Sequence, residues 1–250
     1  MKYLKEFETT AQYEAYTADT ANFILPNVSL TVDNPTVVYY NPYDPYEYVD
    51  LGLSVKWAKW NVGATKEEEY GLYFQWGDTQ GYTAEQVGSG SGKKYFDWEG
   101  YKYWTADTGS GDSGMTKYNT SDGKTVLEPS DDAATANMGG SWRMPTYGEF
   151  NELINTANTT SAWTTVNGVS GVTLTSKKSG YTDKYVFFPA AGYCKRSTRD
   201  TVGSVCYIWS SSLYTSGVSR GRYLLYNSGR RYMDGYDRYY GFSVRGVSVG

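Results

Sequence analysis

The chain has 250 residues, 40% of them hydrophobic, and a formal net charge of −4. It is therefore long enough to bury the core of one large domain with an appendage, and its acidic balance disfavours general binding to nucleic acid or to anionic membranes. Because the sequence contains no histidine, Ser-His-Asp and Cys-His nucleophile systems are excluded and the most frequent zinc ligand is missing.

The first 47 residues are expected to form a small N-terminal appendage. Aromatic spacing predicts a short helix over 6–18, and residues 24–41 predict two short strands around a turn. The segment NPYDPYEY, with two prolines and no periodicity, predicts a linker that ends near residue 47. No apolar stretch indicates a signal peptide or a membrane span, so nothing in the sequence directs the chain through the general secretory route.

The next block begins the main domain, which we expect to cover residues 48–250. Alternating apolar residues over 48–64 predict one half-buried strand, and residues 71–79 have the same character. Residues 80–135 are rich in Gly, Ser, Thr and Asp, which predicts a long irregular excursion. Within it, residues 128–132 (EPSDD) come nearest to a calcium-binding motif, and we expect a solvated turn there and no metal site.

Residues 139–158 carry the strongest helix signal in the chain. Thr146 is a suitable N-cap, and Glu149 completes a capping box ahead of an apolar stripe. We expect the nearby Arg143 to stack on an aromatic ring or to pair with a carboxylate, not to act in catalysis. From Val169 onwards only strand-like runs follow, so the predicted fold class is α+β with short antiparallel strands, long irregular loops and few helices.

The C-terminal tract over 216–241, SGVSRGRYLLYNSGRRYMDGYDRYYG, has an unusual composition. It holds six Tyr, five Arg and five Gly but no Lys, Glu or Gln, and its five Arg against two Asp give it a local charge of +3. Tyrosine and arginine provide the contacts typical of a binding surface. Tyrosine-rich strands also pair across sheets without any ligand. The charged residues favour the binding interpretation, because a buried sheet would reject them.

Six segments together resemble one protein family. In chain order they are YVDLGLSVKWAKWNVGA, GLYFQWGDT, GGSWRMPTYGEFNELI, FFPAAGY, YIWSSSLY and RYYGFSVRGV. They are similar to bacterial proteins, of the Bacteroides and prophage type, with a C-type lectin-like fold that formylglycine-generating enzymes share. The family includes the variable proteins of diversity-generating retroelements. The resemblance covers roughly 48–250 and implies that fold, with residues 1–47 as an attachment or oligomerisation segment.

The resemblance also implies an origin for the composition of the tract. In such variable proteins, adenines of a template are randomised, so an Asn codon becomes Tyr, Ser, Asp, Gly or Arg but never Lys, Glu, Gln, Trp or Met. The tract follows this rule, and all Lys of the chain lie at or before Lys195. Met233 is the exception and is assigned to the scaffold. The pattern from Arg238 to Gly241 matches the fixed part of the family.

Strand alternation then separates scaffold from variable positions. If Leu224 and Tyr226 face the core, Tyr223 and Leu225 face outward. Residues 230, 232 and 234 are expected to project from the following strand, and residues 235–237 to form a loop. The predicted ligand-binding positions are Tyr214, Ser216, Ser219, Arg220, Arg222, Tyr223, Leu225, Asn227, Arg230, Tyr232, Asp234, Gly235, Tyr236 and Asp237.

The resemblance favours a non-enzymatic ligand-binding protein without a cofactor. Its expected ligand is a protein or glycan on a target cell surface, as for a phage receptor-binding or adhesion component. Other virion or fibre subunits, or further copies of the chain, are additional expected partners. The resemblance thus implies a virion, or a cell surface reached by a non-secretory route, with the cytoplasm as the alternative. One alternative is a copper oxidase of the formylglycine-generating type using Cys194 and Cys206, which either form a disulfide or remain free thiols. The other alternative is a nucleic-acid binder that stacks bases on the Arg- and Tyr-rich tract.

Overall fold

Antiparallel strands in small sheets dominate the regular structure of the computed structural model, which describes residues 47–109 and 111–249. The helix predicted over 6–18, the strand pair over 24–41 and the linker before residue 47 lie outside this part. Together with the few helices, the strands confirm the predicted α+β class. No helix in the described ranges is long and apolar enough to cross a membrane.

Twelve strands form four antiparallel sheets within the described residues. In chain order they are β1 (Tyr48–Val49), β2 (Lys56–Asn61), β3 (Trp142–Arg143), β4 (Thr159–Val166), β5 (Val169–Ser176), β6 (Tyr185–Pro189), β7 (Tyr193–Lys195), β8 (Thr198–Asp200), β9 (Cys206–Leu213), β10 (Arg220–Tyr226), β11 (Arg231–Asp237) and β12 (Arg245–Ser248). The sheet orders are β1-β2-β12-β3, β4-β5-β6, β7-β8 and β9-β10-β11. The C-terminal β12 therefore pairs with β2 near the start of the domain.

Two α-helices lie in the described part, α1 (Ala133–Met138) and α2 (Tyr147–Ile154). Helix α2 is the predicted helix, and its capping box is confirmed, since the Thr146 side chain accepts from the Glu149 amide while the Glu149 carboxylate accepts from the Thr146 amide. The same carboxylate accepts hydrogen bonds from both terminal nitrogens of Arg143. The expected pairing of Arg143 with a carboxylate is therefore confirmed.

The single strand predicted over 48–64 is wrong. The chain instead bends between β1 and β2, which pair with each other. The reason is local: the Asp50 carboxylate accepts from the Gly52 amide at 2.8 Å, and Gly52 has a φ of 67°, a left-handed conformation that breaks strand geometry. Leu51 and Val55 are still buried. The alternating pattern therefore predicted these buried positions correctly, but it did not predict that the strand is interrupted.

The main core lies where α2 packs against strands from three sheets. Phe150 of α2 contacts Trp57 of β2 with ring centroids 5.3 Å apart, and Trp57 meets Phe188 of β6 edge to face. Leu224 of β10 joins the same buried cluster. The β9-β10-β11 sheet is thereby fixed to the body of the domain through one of its faces.

The excursion predicted over 80–135 is irregular in its described part up to the start of α1 at Ala133. It contains short 3-10 helices at Ala84–Gln86, Ala106–Thr108, Gly111–Gly114 and Pro129–Asp131. The solvated turn expected at 128–132 is wrong, because Asp131 and Asp132 are buried. The predicted absence of metal there is a separate question, which stays a prediction.

Asp131 is the polar anchor of the excursion. Its carboxylate accepts from the Lys117 ammonium at 2.5 Å, from the Tyr118 hydroxyl at 2.6 Å, and from the Tyr103 hydroxyl. Burial alone would raise the pKa of Asp131, but the hydrogen bonds from Lys117 and the tyrosines outweigh it and hold the pKa at about 2. The ionised carboxylate therefore stabilises the excursion.

Replacing Asp131 tests this role. The folded-state pKa lies below the ordinary value of 3.8, so the stabilisation is present above that value and is lost as the pH falls towards 2. We expect Asp131→Asn to lower the free energy of unfolding at pH 7 by on the order of 1 kcal/mol and to flatten its decline between pH 4 and 2, measured by urea denaturation. Glu99→Gln, at an exposed carboxylate of the same excursion, should change neither value, and an equal loss in both variants would contradict the anchor.

Candidate ligand-binding surface

The predicted tract folds mainly into β10 and β11, an antiparallel hairpin whose two faces differ. The register pairs Leu224 with Met233 and Leu225 with Tyr232. Leu224 lies in the core and Met233 packs against it, so both scaffold assignments are confirmed. By alternation, the opposite face carries Leu225 and Tyr232 together with Tyr223.

The expected exposure of Tyr223 and Leu225 is wrong. Only 3% of Tyr223 and 6% of Leu225 is exposed. Alternation assigned them to the correct face, but that face is covered: the Tyr207 ring of β9 stacks on Tyr223 at 5.7 Å, and Tyr236 meets it edge to face at 5.5 Å. Neither side chain is a free contact residue.

Two further expectations are corrected. Residues 235–237 are not a loop, because β11 runs through Arg231–Asp237 and stays paired with β10 to its end.

Ser219 is buried, and its backbone amide donates to the Asp112 carboxylate at 2.7 Å. Although burial acts in the other direction, the hydrogen bonds from Ser219 lower the pKa of Asp112. Ser219 therefore fastens the start of the hairpin to the excursion.

The remaining predicted positions do reach solvent and are called the hairpin surface below. Its exposed members are Ser216, Arg220, Arg230, Tyr232 and Asp234, and its half-buried members are Tyr214, Arg222, Asn227, Gly235, Tyr236 and Asp237. These residues extend along the strands and the turn and lie on both sides of the hairpin. The expectation of one open face is therefore too simple.

Beneath the hairpin surface lies an aromatic layer that sequence reasoning missed. Tyr193 of β7 contacts both Tyr207 of β9 and the buried Tyr240. Tyr207 and Tyr240 in turn contact Tyr236, and the ring centroids of Tyr236 and Tyr240 are only 4.5 Å apart. The stacked pair Trp209 and Phe242 forms the floor of the layer, with centroids 4.1 Å apart. The alternation of β9 could have predicted it, because Cys206 and Ile208 lie in the core, so Tyr207 and Trp209 must point to the opposite side.

Arg222, near the start of β10, lies between two aromatic rings. Its guanidinium carbon lies 4.4 Å from the Tyr214 ring centroid and 4.5 Å from that of Tyr147 at the start of α2. A Cβ atom on Gly235 would lie 2.3 Å from the Tyr214 ring. The ring therefore covers Gly235, and a larger residue there would displace Tyr214.

Charge on the hairpin surface is mixed. Burial raises the pKa of Asp237, while Arg220, whose Nε lies 3.7 Å from the Asp237 carboxylate, and Lys195 oppose that change. Burial also raises the pKa of the Tyr207 phenol to about 12 and moves that of Tyr223 upward. These two phenols are therefore neutral at physiological pH and add no negative charge to the surface.

The hairpin turn is held by the side chain of one predicted contact residue. The Asn227 amide oxygen accepts from the backbone amides of Gly229 at 2.9 Å and Arg230 at 2.8 Å. Asn227 therefore orders the turn, and its side-chain oxygen is already occupied.

The two cysteines are separate buried thiols, which resolves the alternatives left open by the sequence. Burial raises the pKa of Cys194 above its ordinary range and that of Cys206 to about 12. Cys206 also donates to the Phe188 carbonyl oxygen at 3.2 Å. Within the described ranges, no three Cys, Asp or Glu side chains cluster in a way that suits a metal ion.

Comparisons of the chain with protein-family models, with curated proteins and with solved structures give no match. The resemblance seen in the six sequence segments therefore stays a prediction. What the surface can do has to be argued from its geometry.

A pair of tyrosine variants tests the division between layer and surface. Tyr223→Ala removes a buried ring that contacts Tyr207, Tyr236 and Phe242, and we expect it to lower the free energy of unfolding by about 3 kcal/mol. Tyr232→Ala, at a side chain that is 38% exposed, should shift it by less than about 1 kcal/mol. Urea denaturation measures both, and equal losses would contradict the assignment.

Proposed function

We propose that this protein is a non-enzymatic ligand-binding protein that displays the hairpin surface, and that it is a retroelement-diversified variable protein with a C-type lectin-like domain. Its ligand is a protein or glycan on a target cell, and its role is that of a phage receptor-binding or adhesion component. The observation that carries the proposal is the exposed Tyr, Arg, Asp and Ser set standing on a packed aromatic layer.

This layering gives the surface the properties of a paratope. The two flanking strands pair with β10 over most of its length, so the backbone is ordered before a ligand arrives. Preorganisation lowers the entropic cost of binding. Tyrosine supplies large contact area with few rotatable bonds, and arginine supplies stacking and forked hydrogen bonds. Exposed positions on such a frame tolerate replacement at small cost in stability.

The coarse architecture supports the family assignment. Short antiparallel strands, few helices and a long excursion between β2 and α1 are what the resemblance implies. The residues expected to be fixed also behave as scaffold, since Arg238, Tyr240 and Phe242 are buried.

The other two functions receive less support. Buried thiols with raised pKa values are poorly suited to the exposed thiolate chemistry of a copper oxidase. A nucleic-acid site needs a continuous basic surface, whereas Asp234 and Asp237 interrupt this one and Arg220 lies beside Asp237.

A triple variant tests the binding role. Arg220, Tyr232 and Asp234 are exposed on the hairpin surface, and we expect their joint replacement by alanine to leave the Tm within a few degrees while lowering binding to cells at least tenfold. The readout is flow cytometry of labelled protein on a panel of bacterial strains, with the wild type used first to find a bound strain.

The chain offers a matched control for this experiment. Asp183, Lys184 and Tyr185 form an exposed acid, cation and tyrosine set outside the hairpin, and their replacement by alanine should leave binding unchanged. Equal loss in both triple variants, or full binding by the hairpin variant, would refute the proposal.

The retroelement origin has its own test. Sequencing the DNA around the gene should show a reverse transcriptase gene and a near-copy of the 3′ end that differs at adenines. Differences at codons outside the hairpin surface, or the lack of both features, would argue against diversification without touching the binding role.

A further inference from the structure

The tip of the β10–β11 hairpin forms a concavity with a volume of about 530 Å³. The turn from Tyr226 to Tyr232 lines one side, and Ser161 of the neighbouring β4 lines the other. Both adjacent arginines of the turn, Arg230 and Arg231, face solvent here. We call this concavity the tip pocket.

Arg231 is the best-positioned group in the tip pocket. One terminal nitrogen, Nη1, donates to the Ser161 hydroxyl at 3.0 Å and lies 3.4 Å from the Tyr226 hydroxyl oxygen. Within the described ranges, Nε and Nη2 have no protein acceptor. These two nitrogens form one edge of the guanidinium fork, with parallel N–H groups spaced to meet both oxygens of a carboxylate.

Neither arginine of the pocket is neutralised by a carboxylate of the described residues. Among the residues that the structure describes, no carboxylate oxygen lies within 4.0 Å of the guanidinium nitrogens of Arg230 or Arg231. By contrast, Arg143 and Arg220 both lie beside a carboxylate. The tip pocket is thus a site of unpaired positive charge on an acidic chain.

The pocket is also ordered in advance. Asn227 fixes the turn by accepting from the amides of Gly229 and Arg230, and Tyr226, which holds one side of Arg231, is buried in the core cluster. Ser161 belongs to a fully paired strand of another sheet. An arginine held from two elements loses less entropy when it binds a ligand.

We propose that the tip pocket binds a carboxylate group of the ligand, in a two-point contact with Nε and Nη2 of Arg231 and with Arg230 as a second positive charge. This inference rests on the proposed binding function and names the chemical class that the surface recognises. Acidic peptides and sugars that bear a carboxylate both carry this group. The acidity of the whole chain works against extended polyanions, so local geometry is what selects the ligand.

Two pairs of short probes test the proposal. An acidic decapeptide of alternating Glu and Gly is compared with its Gln counterpart, and tetragalacturonate with its methyl ester. Binding is followed by NMR on the arginine Nε–H signals of the full chain. We expect at least one carboxylated probe to bind and to shift the Arg231 signal, with its neutral counterpart at least tenfold weaker, and the stronger of the two acidic probes identifies the source of the carboxylate.

Variants distinguish forked recognition from simple charge attraction. Arg231→Gln and Arg231→Lys should both weaken binding of the acidic probe at least tenfold, because lysine keeps the charge but lacks the fork. Arg196→Gln is the matched control, since Arg196 is exposed and does not line the pocket, and its affinity should stay within twofold of the wild type.

Four outcomes would overturn the carboxylate site: no binding of either acidic probe, equal binding of neutral and acidic probes, full affinity in Arg231→Gln, or an equal loss in Arg196→Gln. Lysine restoring full affinity would overturn the two-point contact. These results are independent of the cell-binding test, because the probes need no target cell and Arg231 is unchanged in the triple variant. A wild-type protein that binds cells but neither probe would leave the proposed function intact and remove this inference alone.

Discussion

The buried guanidinium of Arg238 connects the irregular excursion to the end of the β10–β11 hairpin. Its terminal nitrogens donate to the backbone carbonyls of Lys117, at 2.9 Å, and of Tyr118, while the group lies 4.7 Å from the ring centroid of Trp76. Burial lowers the pKa of Arg238, which measures the cost of placing the charge there. Since a buried charge without partners is strongly unfavourable, the excursion must keep its carbonyls at this point, directly behind the end of β11.

Because the excursion and the hairpin are fixed to each other, the surface can vary while the frame does not. The buried layer of Tyr223, Trp209 and Phe242 carries the packing energy, and side chains above it contribute contact area with little effect on folding. Two kinds of position are therefore physically distinct: buried positions that pack against other rings, and surface positions that have solvent on one side. A diversified protein needs this separation, because most random replacements in a packed layer would unfold it.

Sequence reasoning succeeded where the determining interaction is local. The capping box of α2 lies within four residues, and the facing of Leu224 and Met233 follows from strand alternation. Apart from the local turn at Gly52, it failed where the determining partner is distant. Alternation places Tyr223 on a face but cannot show that Tyr207 covers it, and the EPSDD segment gives no sign that Tyr103 and Lys117 meet Asp131. An excursion without periodicity offers no register from which such contacts follow.

The positive charge at the tip of the hairpin lies far from the carboxylates of β11. Arg230 and Arg231 stand at the tip, whereas Asp234 and Asp237 follow on β11 at distances of roughly 10 and 20 Å from Arg231, given about 3.3 Å per strand residue. At physiological salt, charges more than about 8 Å apart in solvent are largely screened from each other. The cationic tip is therefore electrostatically independent of the carboxylates near the base of the hairpin, where Arg220 pairs with Asp237. Under the proposed function, the tip orients the negative group of a ligand, and Tyr232, which also lines the tip pocket, supplies contact area beside it. Orientation and contact area would then come from neighbouring residues of one strand.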